Sequence, residues 1–107
     1  MTIKIYGHAG AICTKRVIIT LNELGLSYEL VPVNLLTGEH KQESFLAKQP
    51  FGKIPYLEDD GNGQGPTVGL FESRAICRYL ATRYGGEDSK LVPSAKNLQA
   101  YARFEEV

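Results

Sequence analysis

The chain has 107 residues, 43% of them hydrophobic, and a formal net charge of zero. That length matches one ordinary domain with a real core, and the balanced charge excludes a general pull on nucleic acid or on an acidic membrane surface. No apolar run is long enough to span a bilayer, and MTIKIYGH lacks the basic start and apolar segment of a signal peptide; with only two widely spaced cysteines, Cys13 and Cys77, in no metal-ligand spacing, free thiols in a cytoplasmic protein are expected.

Ile3 and Ile5 alternate with Lys4 and Tyr6 as in a short strand, and Gly7 to Gly10 make a turn. From about Cys13 the period becomes helical, with Val17, Leu21 and Leu24 on one face, until Gly25 ends it. Tyr28 to Val33 reads as a second strand, and Pro32 suggests an edge position. A strand, helix and strand of these lengths form a βαβ unit with parallel strands and a right-handed crossover.

Asn34 to Glu39 is polar. His40 to Lys48 predicts a short, irregular helix with Phe45 and Leu46 inward, and Gln49 to Lys53 a loop. Ile54 to Glu58 and Thr67 to Phe71 read as an antiparallel hairpin around a glycine-rich turn. Asp60 to Gly65 superficially resembles a phosphate-binding loop, but it sits between two antiparallel strands and opens no helix, so that mechanism fails. Glu72 to Tyr84 predicts a helix, with Ala75, Ile76, Tyr79 and Leu80 at helical spacing and Gly85-Gly86 as its stop.

The order βαβ, helix, ββα predicts an α/β, thioredoxin-like fold: a four-stranded mixed sheet with helices on both faces. The expected domain occupies residues 1–86, with a linker over 87–93. Residues 94–107, with Leu98, Tyr101 and Phe104 on one side, read as the truncated start of an all-helical second domain.

Two local features can carry a ligand. If the Ile54-Pro55 bond is cis, the Ile54 N–H and C=O turn outward and can pair with a peptide-like ligand as another strand would; a trans proline opening a strand accounts for the same residues. At Glu72-Ser73 an apolar strand runs directly into a helix. The helix start attracts carboxylates, so Ser73 can hold a ligand carboxylate and Glu72 a ligand ammonium; simple helix capping is the competing account. His40, Lys41 and Lys53 are the nearest cations, available to a second carboxylate or merely solvated. Arg74, Arg78 and Arg83 read as surface residues.

The runs GEHK, PFGKIPYLED and LFESRAICRYLATRYG resemble the N-terminal, glutathione-binding domain of cytosolic glutathione transferases, and within them the phi class of plants and fungi. The resemblance covers about the first 85 residues, and the chain beyond Pro93 is similar to the first helix of that family's second domain. It implies that Ile54, before a cis Pro55, pairs with the cysteinyl part of glutathione. It implies also that Glu72 and Ser73 hold the γ-glutamyl end and that His40, Lys41 and Lys53 lie near the glycyl carboxylate. Glutathione would be a co-substrate, with no further cofactor or metal, and its thiolate would attack electrophilic small molecules. A homodimer is implied as well, while the balanced charge and the lack of a spanning apolar run lead to the expectation of no nucleic-acid or membrane partner. The family usually has glutamine where Lys53 stands; a lysine suits a carboxylate with different hydrogen-bond geometry.

The departure lies at the catalytic position. Thr14, Arg16 and Val17 fit the pattern S-x-x-T-x-R-V, but Ala11 stands where the serine belongs and cannot donate a hydrogen bond to a thiolate. A thiol with a pKa of about 8.5 is only a few per cent ionised at neutral pH, and lowering it requires donors or positive potential. Thr14 is the preferred substitute donor, with capping of the helix as its alternative role. Cys13 suggests another chemistry, a mixed disulfide with glutathione as in a thiol transferase or reductase, although it is offset by two residues from the family's catalytic position and no second cysteine stands three residues away; an incidental cysteine is the competing and preferred account. Cys77 reads as a small core residue. A chain with this pattern is expected to bind glutathione and to transfer it poorly; the remaining alternative is a non-catalytic ligand-binding or interaction domain.

Overall fold

In the first strand, β1 (Ile3–Gly7), Ile3, Ile5 and Gly7 are buried while Lys4 and Tyr6 are half-buried, the two-residue period of a strand with one face on the core. The structure, a computed structural model, describes residues 3–34, 37–49, 51–61, 65–85 and 96–106. β1 runs parallel to β2 (Glu29–Pro32) and antiparallel to β3 (Tyr56–Asp59), and β3 pairs antiparallel with β4 (Val68–Phe71). The sheet order is therefore β2-β1-β3-β4, the four-stranded mixed sheet expected, with Pro32 on an edge strand. Leu30, Ile5, Leu57 and Leu70 lie opposite one another in register, so a row of aliphatic side chains crosses one face.

Two helices cover that face. α1 (Ile12–Glu23) presents Val17 and Leu21, and α3 (Ser73–Tyr84) presents Ile76 and Leu80. These i, i+4 pairs close a buried cluster with Ile3, Ile5 and Leu57. Each such side chain contributes about 1.5–3 kcal/mol by leaving water. The half-buried Cys77 packs against the cluster and donates its thiol to the Arg16 carbonyl at 3.6 Å; burial pushes its pKa up, as suits a core thiol. α1 ends where glycine is required: Gly25 has φ 67°, its N–H donates to the Asn22 carbonyl, and the Leu26 N–H donates to that of Leu21. This paired closure satisfies carbonyls that the helix leaves open.

Between β2 and β3 the structure differs from the predicted single helix over 40–48. A 3₁₀ turn at Glu39–Lys41 is followed by α2 (Glu43–Leu46), because Gln42 between them is extended, with φ −75° and ψ 152°. Phe45 is buried and Leu46 half-buried, as expected. Lys48, just beyond α2, crosses the opposite face of the sheet, 5.2 Å above the Tyr6 ring and 2.8 Å from Glu58. β3 starts at Tyr56 instead of Ile54, leaving Ile54 and Pro55 ahead of the ladder, and it continues to Asp59. α3 starts at Ser73 instead of Glu72. No helix of the described residues is long and apolar enough to cross a membrane.

The end of α3 is tied to β3 by a buried carboxylate. Asp59 is fully buried; its Oδ2 accepts from the Tyr79 and Tyr84 hydroxyls at 2.8 and 2.5 Å, and its Oδ1 accepts from the Gly61 N–H at 2.9 Å. Arg83 approaches Oδ2 at 3.5 Å and donates to the Tyr79 hydroxyl. This network anchors the C-terminal end of α3, whose N-terminal end is therefore held in place above the sheet. α4 (Leu98–Glu105) follows, with Asn97 capping it by accepting from the Ala100 N–H at 3.2 Å. Arg78 of α3 reaches it, with Nε 3.0 Å from Glu105 and the guanidinium 5.9 Å from the Phe104 ring centre. The predicted linker over 87–93 and the predicted helix start at Ser94 lie outside the described residues.

Candidate functional site

Three segments meet at one cleft of about 430 Å³: the start of α1, the loop before β3, and the junction of β4 with α3. Its lining includes Cys13 from the first, Gln49, Phe51, Lys53, Ile54 and Pro55 from the second, and Phe71, Glu72 and Ser73 from the third. The volume is in the range of small-molecule sites, about 300–1,000 Å³. Both features singled out in the sequence therefore border a common space.

The loop presents backbone. The Ile54-Pro55 bond is cis, and among the described residues neither the Ile54 N–H nor its C=O pairs with another backbone group. Pro55 is buried, Ile54 half-buried and Lys53 exposed. The junction presents charge and a helix end. Ser73 is 3% exposed and opens α3, where the first N–H groups have no partner within the helix and carry partial positive charge. Glu72 precedes it with φ 77° and ψ 111°, a conformation unfavourable for a residue with a Cβ. Its carboxylate is exposed, with no ion pair among the described residues. Backbone strain of this kind is held in place by surrounding structure and concentrates at ligand sites.

His40 and Lys41 do not line the cleft. They support its loop: the Lys41 ammonium donates to the Phe51 carbonyl at 3.1 Å, and the His40 carbonyl lies where a Cβ on Gly52 would be 2.8 Å away. Gly52 has φ 61°, so only glycine suits that close approach. His40 Nδ1 is buried with no hydrogen-bond partner among the described residues.

At α1 the structure places Thr14 away from the cleft lining. Its side chain is fully buried, the hydroxyl accepts from the His8 N–H at 3.4 Å, and a Cβ on Gly7 would lie 2.6 Å from it. Thr14 seats α1 against the end of β1; it neither faces the cleft nor caps the helix. The N-cap position belongs to Ala11, which provides no side-chain hydrogen bond. Cys13, half-buried, is the α1 side chain that reaches the cleft.

Sequence reasoning does not single out Gln49, Phe51 or Phe71. The two phenylalanines form an edge-to-face pair with ring centres 5.6 Å apart, and both are exposed, 64% and 39%. Their available signal is adjacency, Phe51 beside Gly52 and Phe71 beside Glu72. Gln49 is buried to 2% exposure, with its side-chain amide engaged at both ends within the loop. Glutamine is usually exposed, so nothing in its neighbourhood announces this. No cluster of metal-ligating side chains occurs among the described residues.

A βαβ-α-ββα sheet with a peptide-sized cleft beside a proline loop and a helix start defines a thioredoxin-like binding domain. The family model described as "Glutathione S-transferase, N-terminal domain" matches residues 1–82. The chain is 45% identical over 107 residues to glutathione S-transferase PM239X14 of Arabidopsis thaliana, covering 99% of the chain and 46% of that relative. Its fold superposes on the crystal structure of glutathione transferase F7 from Populus trichocarpa with a TM-score of 0.81 and 44% identity, covering 97% of this chain and 46% of that one. It is similar also to glutathione transferase URE2P6 from Phanerochaete chrysosporium in complex with oxidised glutathione, with TM-score 0.83, 33% identity, and 96% and 45% coverage. The chain belongs to the glutathione S-transferase family, with its similarity among the plant F-class, or phi-class, members. It spans about half the length of the curated relatives it matches.

Proposed function

We propose that the chain is the glutathione-binding half of a glutathione transferase, which as a whole conjugates glutathione to electrophilic small molecules. The observation that carries this reading is the common cleft bordered by Lys53-Ile54-Pro55 and Glu72-Ser73. A γ-glutamyl group has an α-carboxylate and an ammonium side by side. The Ser73 hydroxyl and the α3 N-terminus suit the first, and the free Glu72 carboxylate suits the second. The unpaired Ile54 N–H and C=O suit the cysteinyl backbone, as in strand addition. Lys53, with Lys41 and His40 behind the loop, suits the glycyl carboxylate.

In the transfer step the glutathione thiol loses its proton, its sulfur forms a bond to an electrophilic carbon, and the leaving group departs with its electron pair. Ala11 offers the thiolate no side-chain donor. The chain by itself is therefore expected to bind glutathione and conjugate it slowly, the electrophile being held chiefly by a helical domain of the whole protein. The family resemblance carries a cytoplasmic homodimer into the same reading. Calorimetric titration with reduced glutathione tests binding, with one molecule taken up per chain as the expected result; no heat at millimolar glutathione sinks the reading. Turnover of a halodinitrobenzene at the rate of a whole transferase would refute slow conjugation.

Cys13 in the cleft favours a second reading. Its thiolate can attack oxidised glutathione, forming a protein–glutathione disulfide and releasing one glutathione as thiolate. Mass spectrometry after exposure to oxidised glutathione checks it: an adduct that disappears in Cys13→Ser supports it, and an unmodified Cys13 removes it.

A further inference from the structure

Gln49 makes four hydrogen bonds at the loop that borders the cleft. Its own N–H donates to the Phe45 carbonyl and its C=O accepts from the Gly52 N–H, both at 2.9 Å, which fixes its main chain between α2 and the turn. Its side-chain oxygen accepts from the Phe51 N–H at 2.6 Å, and its side-chain N–H donates to the Lys53 carbonyl at 2.9 Å. At 2% exposure these bonds have little competition from water, so breaking one leaves a buried group unpaired.

The Lys53 carbonyl and the Ile54 N–H belong to one planar peptide group, and among the described residues only Ile54-Pro55 is cis. In a trans peptide the C=O and N–H point in opposite directions. Fixing the Lys53 carbonyl therefore fixes the Ile54 N–H, aimed away from the glutamine amide. A hydrogen bond accepted at the carbonyl also polarises the group and strengthens its N–H as a donor. We infer that Gln49 is a positioning residue for glutathione: through the Lys53–Ile54 peptide group it sets the direction and donor strength of the Ile54 N–H. This rests on the reading of the cleft as a glutathione site, and it assigns Gln49 no contact with the ligand.

Two substitutions in the full chain separate positioning from mere loop stability. Gln49→Glu keeps the oxygen that accepts from Phe51 and replaces the donor to Lys53 by an oxygen that repels its carbonyl. Gln49→Met keeps the length and removes both bonds. Each is expected to weaken glutathione binding about tenfold or more by calorimetry, the equivalent of one buried hydrogen bond. Each is also expected to shift the Ile54 amide resonance in the ligand-free protein, with Gln49→Glu binding at least as weakly as Gln49→Met. A variant that folds, by far-ultraviolet circular dichroism, and binds within twofold of the unsubstituted chain overturns the role. So does an Ile54 amide that does not move. Should both variants fail to fold, the unsubstituted chain still decides: saturation with glutathione must shift the Ile54 amide and the Gln49 side-chain amide together, and a Gln49 amide that stays in place overturns the proposal. An unsubstituted chain that binds no glutathione removes instead the functional reading beneath it, while the Ile54 shift in the ligand-free variants still reports whether Gln49 orients that peptide.

Discussion

The Tyr84 hydroxyl, in the last turn of α3, donates to Asp59 Oδ2 at the end of β3 across 2.5 Å. Burial works to raise the Asp59 pKa, but the hydrogen bonds from Tyr84, the Gly61 N–H and Tyr79, with the Arg83 charge, outweigh it and hold the carboxyl below its usual value. Tyr84 is pushed upward, first by burial and then by its bond to Asp59. Each group therefore keeps the form that makes the bond. The contact closes the far end of α3, while the near end carries Ser73 to the cleft.

Removing the acceptor should cost more than removing one donor. Asp59→Ala leaves two half-buried hydroxyls without their acceptor and is expected to lose about 2–4 kcal/mol in urea unfolding. Tyr84→Phe removes one bond to a charged group and is expected to lose about 1.5–3 kcal/mol. Equal losses in the two variants would deny that Asp59 is the centre of the network.

The same shifts predict how stability depends on pH. The folded Asp59 pKa lies below the unfolded value of about 3.9, so the stability it contributes is complete above that value and is lost as pH falls below it and through the folded pKa. Tyr84 works in the opposite sense: its folded pKa lies above the unfolded value of about 10, so its contribution is complete below that value and is lost as pH rises beyond it. Unfolding free energies measured across the range should decline at both ends, and Asp59→Asn should flatten the acid limb. An unchanged acid limb in that variant assigns the decline to other carboxyls.

Glu72 tests whether strain and charge at the helix start are separable. Glu72→Ala removes the carboxylate and keeps a Cβ at φ 77°, whereas Glu72→Gly removes both. The glycine variant is expected to be the more stable by about 1 kcal/mol, the cost of a Cβ in this region. Both variants should lose glutathione affinity alike, because both lack the partner for the ligand ammonium. Equal stability would show that the backbone there carries no strain, and unchanged affinity would remove Glu72 from the site.

The order of elements was legible because its signals are local. Ile3 and Ile5 alternate, Val17 with Leu21 and Ile76 with Leu80 recur at one helical turn, and Gly25 marks a helix end by the conformation it alone adopts cheaply. The residues from 39 to 56 were less legible, because an extended Gln42 splits the expected helix and β3 starts only after Pro55. Asp59 reads in sequence as an ordinary acid beside a turn. Its partners Tyr79 and Tyr84 lie 20 and 25 positions away, a distance that no periodicity reports. The same limit governs the start of α1, where Thr14 and Cys13 are adjacent in the chain and only the helix rotation decides which faces the cleft. Ile54 and Ser73 were legible as two anchors of one site; what the sequence does not show is how the sheet brings the loop before β3 and the start of α3 to one cleft.

Ala11 gives the sharpest test of what the cleft lacks. It occupies the N-cap of α1 with φ −80° and ψ 135° and no side-chain bond, the extended conformation in which a serine oxygen accepts from the first helical N–H groups. Ala11→Ser should stabilise the chain by about 0.5–2 kcal/mol through that cap alone. As a cap the hydroxyl uses its oxygen, so its proton remains free to donate to a bound thiolate. The variant is therefore expected to raise the thiolate fraction of bound glutathione at neutral pH, read from thiolate ultraviolet absorbance, and to raise conjugation rate with little change in glutathione affinity. A gain in stability with no gain in thiolate would mean that the serine proton points away from the sulfur. Activation would then rest on the backbone N–H groups at the start of α1, where Cys13 lines the cleft among the described residues.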